Sequence, residues 1–209
     1  MKPRLLDLFC GAGGASVGYH RAGFEVGVDL APQPNYPFRF VRFDAMTYPL
    51  DGFNVIHASP PCQAYSALRN LGKQENAARF YFIEAIRERL VASGVPYVIE
   101  NVVGAPLKNP VTICGSSFGL GVRRHRLFEA SFPIVRLPCA HAKTSIGVYG
   151  DHPQISKGMN RAHTLAQASE AMGIHWMAWQ ELCEAIPPAY TEHIGAQILA
   201  TIGSFEVVP

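Results

Sequence analysis

The sequence predicts an α/β fold, a doubly wound and mostly parallel sheet of the Rossmann-like type. Three observations predict it. Short apolar runs recur between stretches of helical periodicity, the pattern of β-α units folded around one sheet. A glycine-rich loop joins the first apolar run to the first helix. Acidic or reactive residues stand just past the ends of several runs, where ligands of open parallel sheets bind.

The elements follow in order. Arg4 to Phe9 reads as a buried first strand, Cys10-Gly11-Ala12-Gly13-Gly14 as a glycine loop, and Ala15 to Ala22 as the first helix. Phe24 to Val28 is a second strand ending at Asp29, and Arg39 to Phe43 a short third strand ending at Asp44. Phe53 to His57 is the fourth. Glu75 to Ala92 has helical periodicity, with Ile83, Ile86, Leu90 and Val91 expected on a shared face. Pro96 to Glu100 is a fifth strand. Beyond Asn101 the pattern loosens: Val111 to Cys114 and Leu127 to Phe132 read as short strands, and Pro133 to about Arg161 shows little periodicity. Ala166 to Met172, Met177 to Ala185 and Tyr190 to Ile202 read as helices, punctuated by Gly173 and Pro187-Pro188. Three parts are expected: 1–128 carrying the α/β core, 129–163 irregular, and 164–209 returning to the core as helices.

Composition bounds the function classes. A chain of 209 residues, 48% hydrophobic and 16% charged, suits one compact domain and argues against disorder. A net charge of +2 is too small to argue for nucleic-acid binding by itself. Five cysteines at irregular spacings, with no Cys-x-x-Cys pair, suggest a reduced, cytoplasmic protein rather than a disulfide scaffold. No signal peptide and no apolar run of membrane-spanning length is expected.

Asp7-Leu8-Phe9-Cys10-Gly11-Ala12-Gly13-Gly14 has the strand-loop-helix context of a nucleotide-type site. A dinucleotide fingerprint would need glycine at position 16, which is Ser16; the next glycine is Gly18. Asp29 is placed to accept ribose hydroxyls, and Asp44 to meet an adenine amino group. Each acid alone fits a loop cap equally well. Together with the glycine loop they fit a ribonucleoside without phosphates, for which S-adenosylmethionine is the common case.

The most informative stretch is Ala58-Ser59-Pro60-Pro61-Cys62-Gln63-Ala64-Tyr65-Ser66. It places a cysteine past a strand end, on a loop stiffened by two prolines. An isolated cysteine is usually a small buried hydrophobe. One presented in this way is a candidate nucleophile.

With Glu100-Asn101-Val102 and Val122-Arg123-Arg124-His125-Arg126 added, the chain resembles the cytosine-5 DNA methyltransferases. Asp7 to Gly14 matches that family's cofactor loop, and Ser59 to Ser66 its catalytic loop, with Cys62 at the nucleophile. Arg124 and Arg126 fall at the two arginines of its Gln-x-Arg-x-Arg motif. Ala185-Ile186-Pro187-Pro188 resembles its C-terminal segment. The resemblance implies an S-adenosylmethionine-dependent methyltransferase fold with a rudimentary target-recognition segment at 129–163. It implies binding of S-adenosylmethionine by Asp7, Phe9, Gly11, Gly13, Gly14, Asp29, Asp44, Pro60 and Glu184. It also implies methylation of carbon 5 of cytosine in DNA, with the base flipped from the duplex. Cys62 would add to carbon 6, and Glu100 would bond cytosine N3 and its amino group. Arg126 would contact the base carbonyl and orient Glu100. Arg124 would support the catalytic loop, and Asn101 would fix the loop bearing Cys62. A bacterial or phage setting, as in restriction-modification, and a recognition partner protein fit so short a chain.

The chain departs from the family in four places. The recognition segment is short, Val122 replaces a glutamine, and Asp29 replaces a common glutamate. Glu184 stands in place of an asparagine, where it would repel the methionine carboxylate unless paired with a cation. Other readings stay open: the same chemistry on RNA or single-stranded DNA, transfer of a non-methyl group from a modified sulfonium, or an idle cofactor-binding module. Cys114, Cys139, His141 and His152 match no familiar zinc spacing, and no metal is expected. Trp176 and Trp179 read as a packing stripe.

Overall fold

Strands whose alternate side chains are apolar on both faces must be covered on both faces, and this sets the layers. The computed structural model describes residues 2–24, 32–62, 76–150 and 161–202, with 76–81 and 202 as backbone only. Strands β1 (Leu5–Leu8), β2 (Val55–Ala58) and β3 (Tyr97–Val102) run parallel, with Leu5 opposite Val55 and Ile56 opposite Tyr97. Beyond β3 the sheet turns antiparallel through β5 (Arg126–Ala130) to β4 (Val111–Ile113), giving the order β1-β2-β3-β5-β4.

The alternation divides the core. Leu5, Val55, Val98 and Phe128 pack with Tyr19 of α1 (Gly14–Ala22) and with Tyr190, Ile194 and Ile198 of α5 (Pro188–Ile202). Leu6, Leu8, Ile56, Ala58 and Ile99 face Ile86 and Leu90 of α2 (Asn76–Ser93). A third cluster gathers α3 (Leu165–Met172) and α4 (Trp179–Glu184) around Val122, Met172, Ile174 and Leu182.

Several expectations are corrected. Val91 is 59% exposed, whereas Ile83, Ile86 and Leu90 are fully buried. At about 100° per residue Val91 falls at the edge of their stripe, and Arg87 (3% exposed) occupies the place nearer its centre. Over Arg39 to Phe43 the expected strand is reduced to a bridge at Arg42. A boundary at 128/129 would cut β5, so the irregular segment begins after Ala130. The expected strand at Phe24 to Val28 lies outside the described residues from position 25 onward.

Gly18 is explained by packing rather than by a nucleotide. A Cβ there would lie 2.0 Å from Thr191 Oγ1 and 2.1 Å from the Pro188 carbonyl, so only glycine lets α1 and α5 approach this closely. Thr191 Oγ1 donates to the Ala15 carbonyl at 2.8 Å across the same contact. Trp176 and Trp179 belong to the third cluster, and their indole N–H groups donate to the Ala12 and Gly150 carbonyls. Among the described residues no helix is long and apolar enough to cross a membrane.

His57 is fully buried within β2, bonded through Nδ1 to Tyr19 Oη (2.9 Å) and through Nε2 to Ser59 Oγ (2.8 Å). Burial pushes its pKa down to about 3, so it is neutral in the fold, while in the unfolded chain it takes a proton near 6.5. The unfolded state therefore binds the extra proton between about pH 3 and 6.5, and His57 disfavours folding progressively as pH falls through that window. His57→Gln is expected to flatten this part of the Tm-against-pH curve relative to the parent. Parallel curves below pH 6.5 would refute the assignment.

Candidate active site

The C-terminal ends of the parallel strands open onto one cavity of about 670 Å³. Its size lies in the range of small-molecule and cofactor sites. Loop residues after β1 (Phe9, Cys10, Gly11, Ala12) form one wall; the segment after β2 (Ser59 to Cys62) and Glu100 of β3 form another. Arg126, at the start of β5, and Glu181, Glu184, Ala185 and Ile186, in and just after α4, close it. The position follows from the fold, since parallel strands deliver their C-terminal loops to one edge.

The glycine loop leaves β1 through Phe9 (φ 61) and Gly11 (φ 50). At Gly11 nothing lies within 4 Å of where a Cβ would project, so the backbone itself meets open space. Gly14 also lines the cavity. Gly13 does not: it is the N-cap of α1 (φ 84), and a Cβ there would strike the Tyr36 ring at 2.9 Å. Its need for glycine is packing beneath Tyr36. Ser16, where a dinucleotide fingerprint would need glycine, donates from Oγ to Asp7 Oδ2 at 2.5 Å and accepts from Tyr36 Oη at 2.9 Å. Asp7 is thereby fixed at the cavity edge while fully buried.

Asp44 lines the cavity and also caps its own turn, with Oδ1 accepting from the Met46 N–H at 2.9 Å. Glu184 is exposed at the end of α4, on the cavity wall, with no ion pair to a described residue. Asp29, Gln63, Tyr65, Ser66 and His152 lie outside the described residues.

Cys62, Glu100 and Arg126 line the same cavity. Arg126 Nε lies 3.0 Å from Glu100 Oε1 as an ion pair, without the alignment of a hydrogen bond. Burial pushes the Glu100 carboxyl up, opposed by Arg126, by a hydrogen bond from Ser59 and by Arg124. Burial likewise pushes the Cys62 thiol up; Arg126 draws it down, while Glu100 and Glu184 raise it further. Asn101 is buried, and its Nδ2 donates to the Pro60 carbonyl at 2.9 Å, tying the end of β3 to the proline pair before Cys62. Pro60 itself lines the cavity.

Arg124 adopts φ 36. Its guanidinium donates to the carbonyls of Leu182 (3.2 Å), Cys183 (2.6 Å), Ala185 (2.8 Å) and Val148 (3.0 Å). Among the described residues it therefore buttresses the C-terminal segment. Five donors in a fixed fork suit a cluster of carbonyls, which a lysine ammonium would satisfy less completely.

Sequence reading missed Ser59 and His57. Tyr19, His57 and Ser59 form a buried hydrogen-bonded chain that reaches Glu100. His57 sits among apolar strand residues, and its only visible signal was polarity at an inward-facing position. A second surprise is that Cys114, His125, Cys139 and His141 bring one ligand atom each within 4.8 Å of one another. Of the residues weighed for a metal, three assemble, and His125 stands with them.

The lining also tests the cofactor. Among the described residues it carries five carboxylates (Asp7, Asp44, Glu100, Glu181 and Glu184) against one guanidinium, Arg126. Such a cavity repels phosphates and suits a cationic ligand. A sulfonium carrying an ammonium group and a ribonucleoside fits this donor set; a dinucleotide does not.

No family model matches the chain. It is 25% identical over 172 residues to the Type II methyltransferase M.AquIA of Picosynechococcus sp., a match covering 64% of this chain and 68% of that one. It is 29% identical over 117 residues to the Type II methyltransferase M1.HphI of Haemophilus parahaemolyticus. That second match covers 46% of this chain and only 32% of the relative. The fold aligns at TM-score 0.65 and 14% identity with a protein described as a DNA modification methyltransferase encoded within an E. coli prophage, covering 96% of this chain and 99% of that one. It aligns equally well, at 0.65 and 14% identity, with the S. pombe Dnmt2 methyltransferase, covering 97% and 99%. Fold, cavity and relatives define an S-adenosylmethionine-dependent methyltransferase. Within that class its curated relatives are Type II methyltransferases, and its motif order from Asp7 to Pro188 resembles that of the cytosine-5 DNA methyltransferases.

Proposed function

We propose that the chain methylates carbon 5 of cytosine in DNA through a covalent adduct of Cys62. The observation that carries this reading is the meeting of Cys62, Glu100 and Arg126 in the cavity that also holds the glycine loop and Asp44. When bound, S-adenosylmethionine supplies the electrophilic methyl group and a positive charge. Gly11, Gly14, Asp7, Phe9, Asp44, Pro60 and Glu184 would hold it.

The chemistry requires these residue types. Carbon 5 of cytosine is a weak nucleophile until a thiolate bonds to carbon 6 and pushes electrons onto the ring. Cys62 would make that bond. Its thiol is pushed up by burial and by two carboxylates, so ionisation needs added positive charge, which Arg126 supplies in part. Glu100, pushed up by burial, is suited to hold a proton at cytosine N3 as charge develops there. Arg126, against Glu100 Oε1, would orient that carboxyl and meet the base carbonyl. The cavity edge would admit a base only after it has left the stack.

The test is nucleoside mass spectrometry of DNA from cells expressing the chain, beside Cys62→Ala. Excess 5-methylcytosine is expected from the parent and none from the variant. An unchanged cytosine pool in cells where the folded protein binds S-adenosylmethionine would defeat the DNA reading. A different added mass on cytosine would defeat methyl transfer.

A further inference from the structure

We propose that Cys114, His125, Cys139 and His141 bind one zinc ion, which fastens the irregular segment after β5 to the β4–β5 hairpin. Cys114 Sγ lies 3.4 Å from His141 Nε2, Cys139 Sγ 3.6 Å from His125 Nε2, and the two Nε2 atoms 3.2 Å apart. A tetrahedral zinc with bonds of about 2.3 Å to sulfur and about 2.05 Å to nitrogen requires S···N edges of roughly 3.5 Å and N···N edges of roughly 3.3 Å. These three edges match such a figure, and no two of the four donor atoms lie more than 4.8 Å apart. Two thiolates with two imidazoles are also the soft, tetrahedral set that structural zinc takes in preference to magnesium or calcium.

The surroundings have the character of a fastening. Cys114 is buried directly after β4, His125 lies directly before β5, and Cys139 and His141 are exposed on the segment that follows. None of residues 131–147 is buried, so this stretch has little apolar burial to hold it in place. Partly buried Phe132, Ile134 and Ile146 pack against the core, and the rest is held by polar ties. Ser117 Oγ donates to the Pro138 carbonyl (2.8 Å), the Ala140 N–H to Ser116 Oγ (3.0 Å), Arg123 Nη2 to the Ala142 carbonyl (3.4 Å) and the Ile146 N–H to the Gly121 carbonyl (2.7 Å). Ser131 pairs with Tyr97, and Val135 is tied to α5 through Gln197 and His193. Ser116 Oγ also lies 3.1 Å from Cys114 Sγ, an outer partner for a metal-bound thiolate. Where a core cannot be built, a structural metal supplies the missing free energy.

The placement bears on the active site by position. His125 is flanked by Arg124, which braces the C-terminal segment, and by Arg126, which pairs with Glu100. Zinc at His125 would fix the backbone between those arginines. Binding releases the two thiol protons, so affinity falls in acid.

The test uses the full chain purified under reducing conditions from zinc-supplemented culture without chelator. Elemental analysis is expected to give about one zinc per chain. Cobalt added to the chelator-stripped chain should give tetrahedral d–d bands and a thiolate-to-metal charge-transfer band. Cys139→Ser and His141→Ala, both at exposed positions, should retain the far-ultraviolet circular dichroism of the parent and lose the zinc and the cobalt spectrum. Three results would overturn the proposal. One is a folded parent chain that holds no zinc and gives no cobalt spectrum. Another is zinc retained by the folded double variant Cys139→Ser/His141→Ala. The last is loss of two titratable thiols in parent chain purified without reductant and titrated after denaturation in chelator, which would mark a Cys114–Cys139 disulfide instead.

Discussion

Glu100→Gln is expected to slow methyl transfer by about 10²–10⁴-fold, the usual contribution of a positioned acid–base group, while leaving S-adenosylmethionine affinity nearly unchanged. Glutamine keeps the shape and one N–H donor but cannot hold and release a proton at cytosine N3. Burial pushes the Glu100 carboxyl above the ordinary range, against the opposing pull of Arg126 3.0 Å from Oε1. Any step that needs its proton is lost as pH rises through that raised pKa. The parent should therefore show a falling alkaline limb in its single-turnover rate, and Glu100→Gln should lack that limb. Calorimetric binding of the cofactor separates the two roles. A variant with parental rate would remove Glu100 from the chemistry. Loss of cofactor affinity in proportion to rate would make it a binding residue instead.

Glu129→Ala is expected to cost about 3–5 kcal/mol of stability, the range for breaking a buried ion pair by removing one partner. Arg87 of α2 and Glu129 of β5 are each 3% exposed and meet in a two-pronged pair, Nε to Oε1 at 2.7 Å and Nη2 to Oε2 at 2.8 Å. Glu129 Oε2 also accepts from the Lys108 N–H at 2.7 Å, and Arg87 Nη2 donates to the Pro106 carbonyl at 2.9 Å. The pair thus binds together helix, strand and the loop after β3. Removing Glu129 leaves the Arg87 guanidinium in the interior with the Glu84 carboxylate and one carbonyl. The double replacement Arg87→Met/Glu129→Leu should recover much of the loss, because no unpaired charge then stays buried. Urea denaturation of the three variants checks this. A cost under ~1 kcal/mol for Glu129→Ala, the scale of an exposed pair, would show that water reaches the site.

Most of the architecture was legible because its determinants are local. Leu5–Leu8, Val55–Ala58 and Tyr97–Val102 are apolar runs that only a doubly covered sheet can bury, and the glycine loop and the proline pair stand directly at their ends. Where a motif consists of neighbours along the chain, its residues reach one site by backbone geometry alone. Gly13 shows the limit of that reasoning. Its motif context points to a ligand, yet what forbids a side chain there is the Tyr36 ring.

The sequence by itself determined the parallel α/β class, the resemblance to a methyltransferase family, and the set of reactive side chains offered at the strand ends. The tertiary structure decided which of them share a cavity and which serve elsewhere. It sent Arg124 to the carbonyls of residues 182–185, and buried Arg87 against Glu129, 42 residues away. It also set His125 among Cys114, Cys139 and His141. These are contacts between segments distant along the chain. Spacing along the chain carries no signal for them, because the chain closes such contacts only after the sheet and its helices have packed.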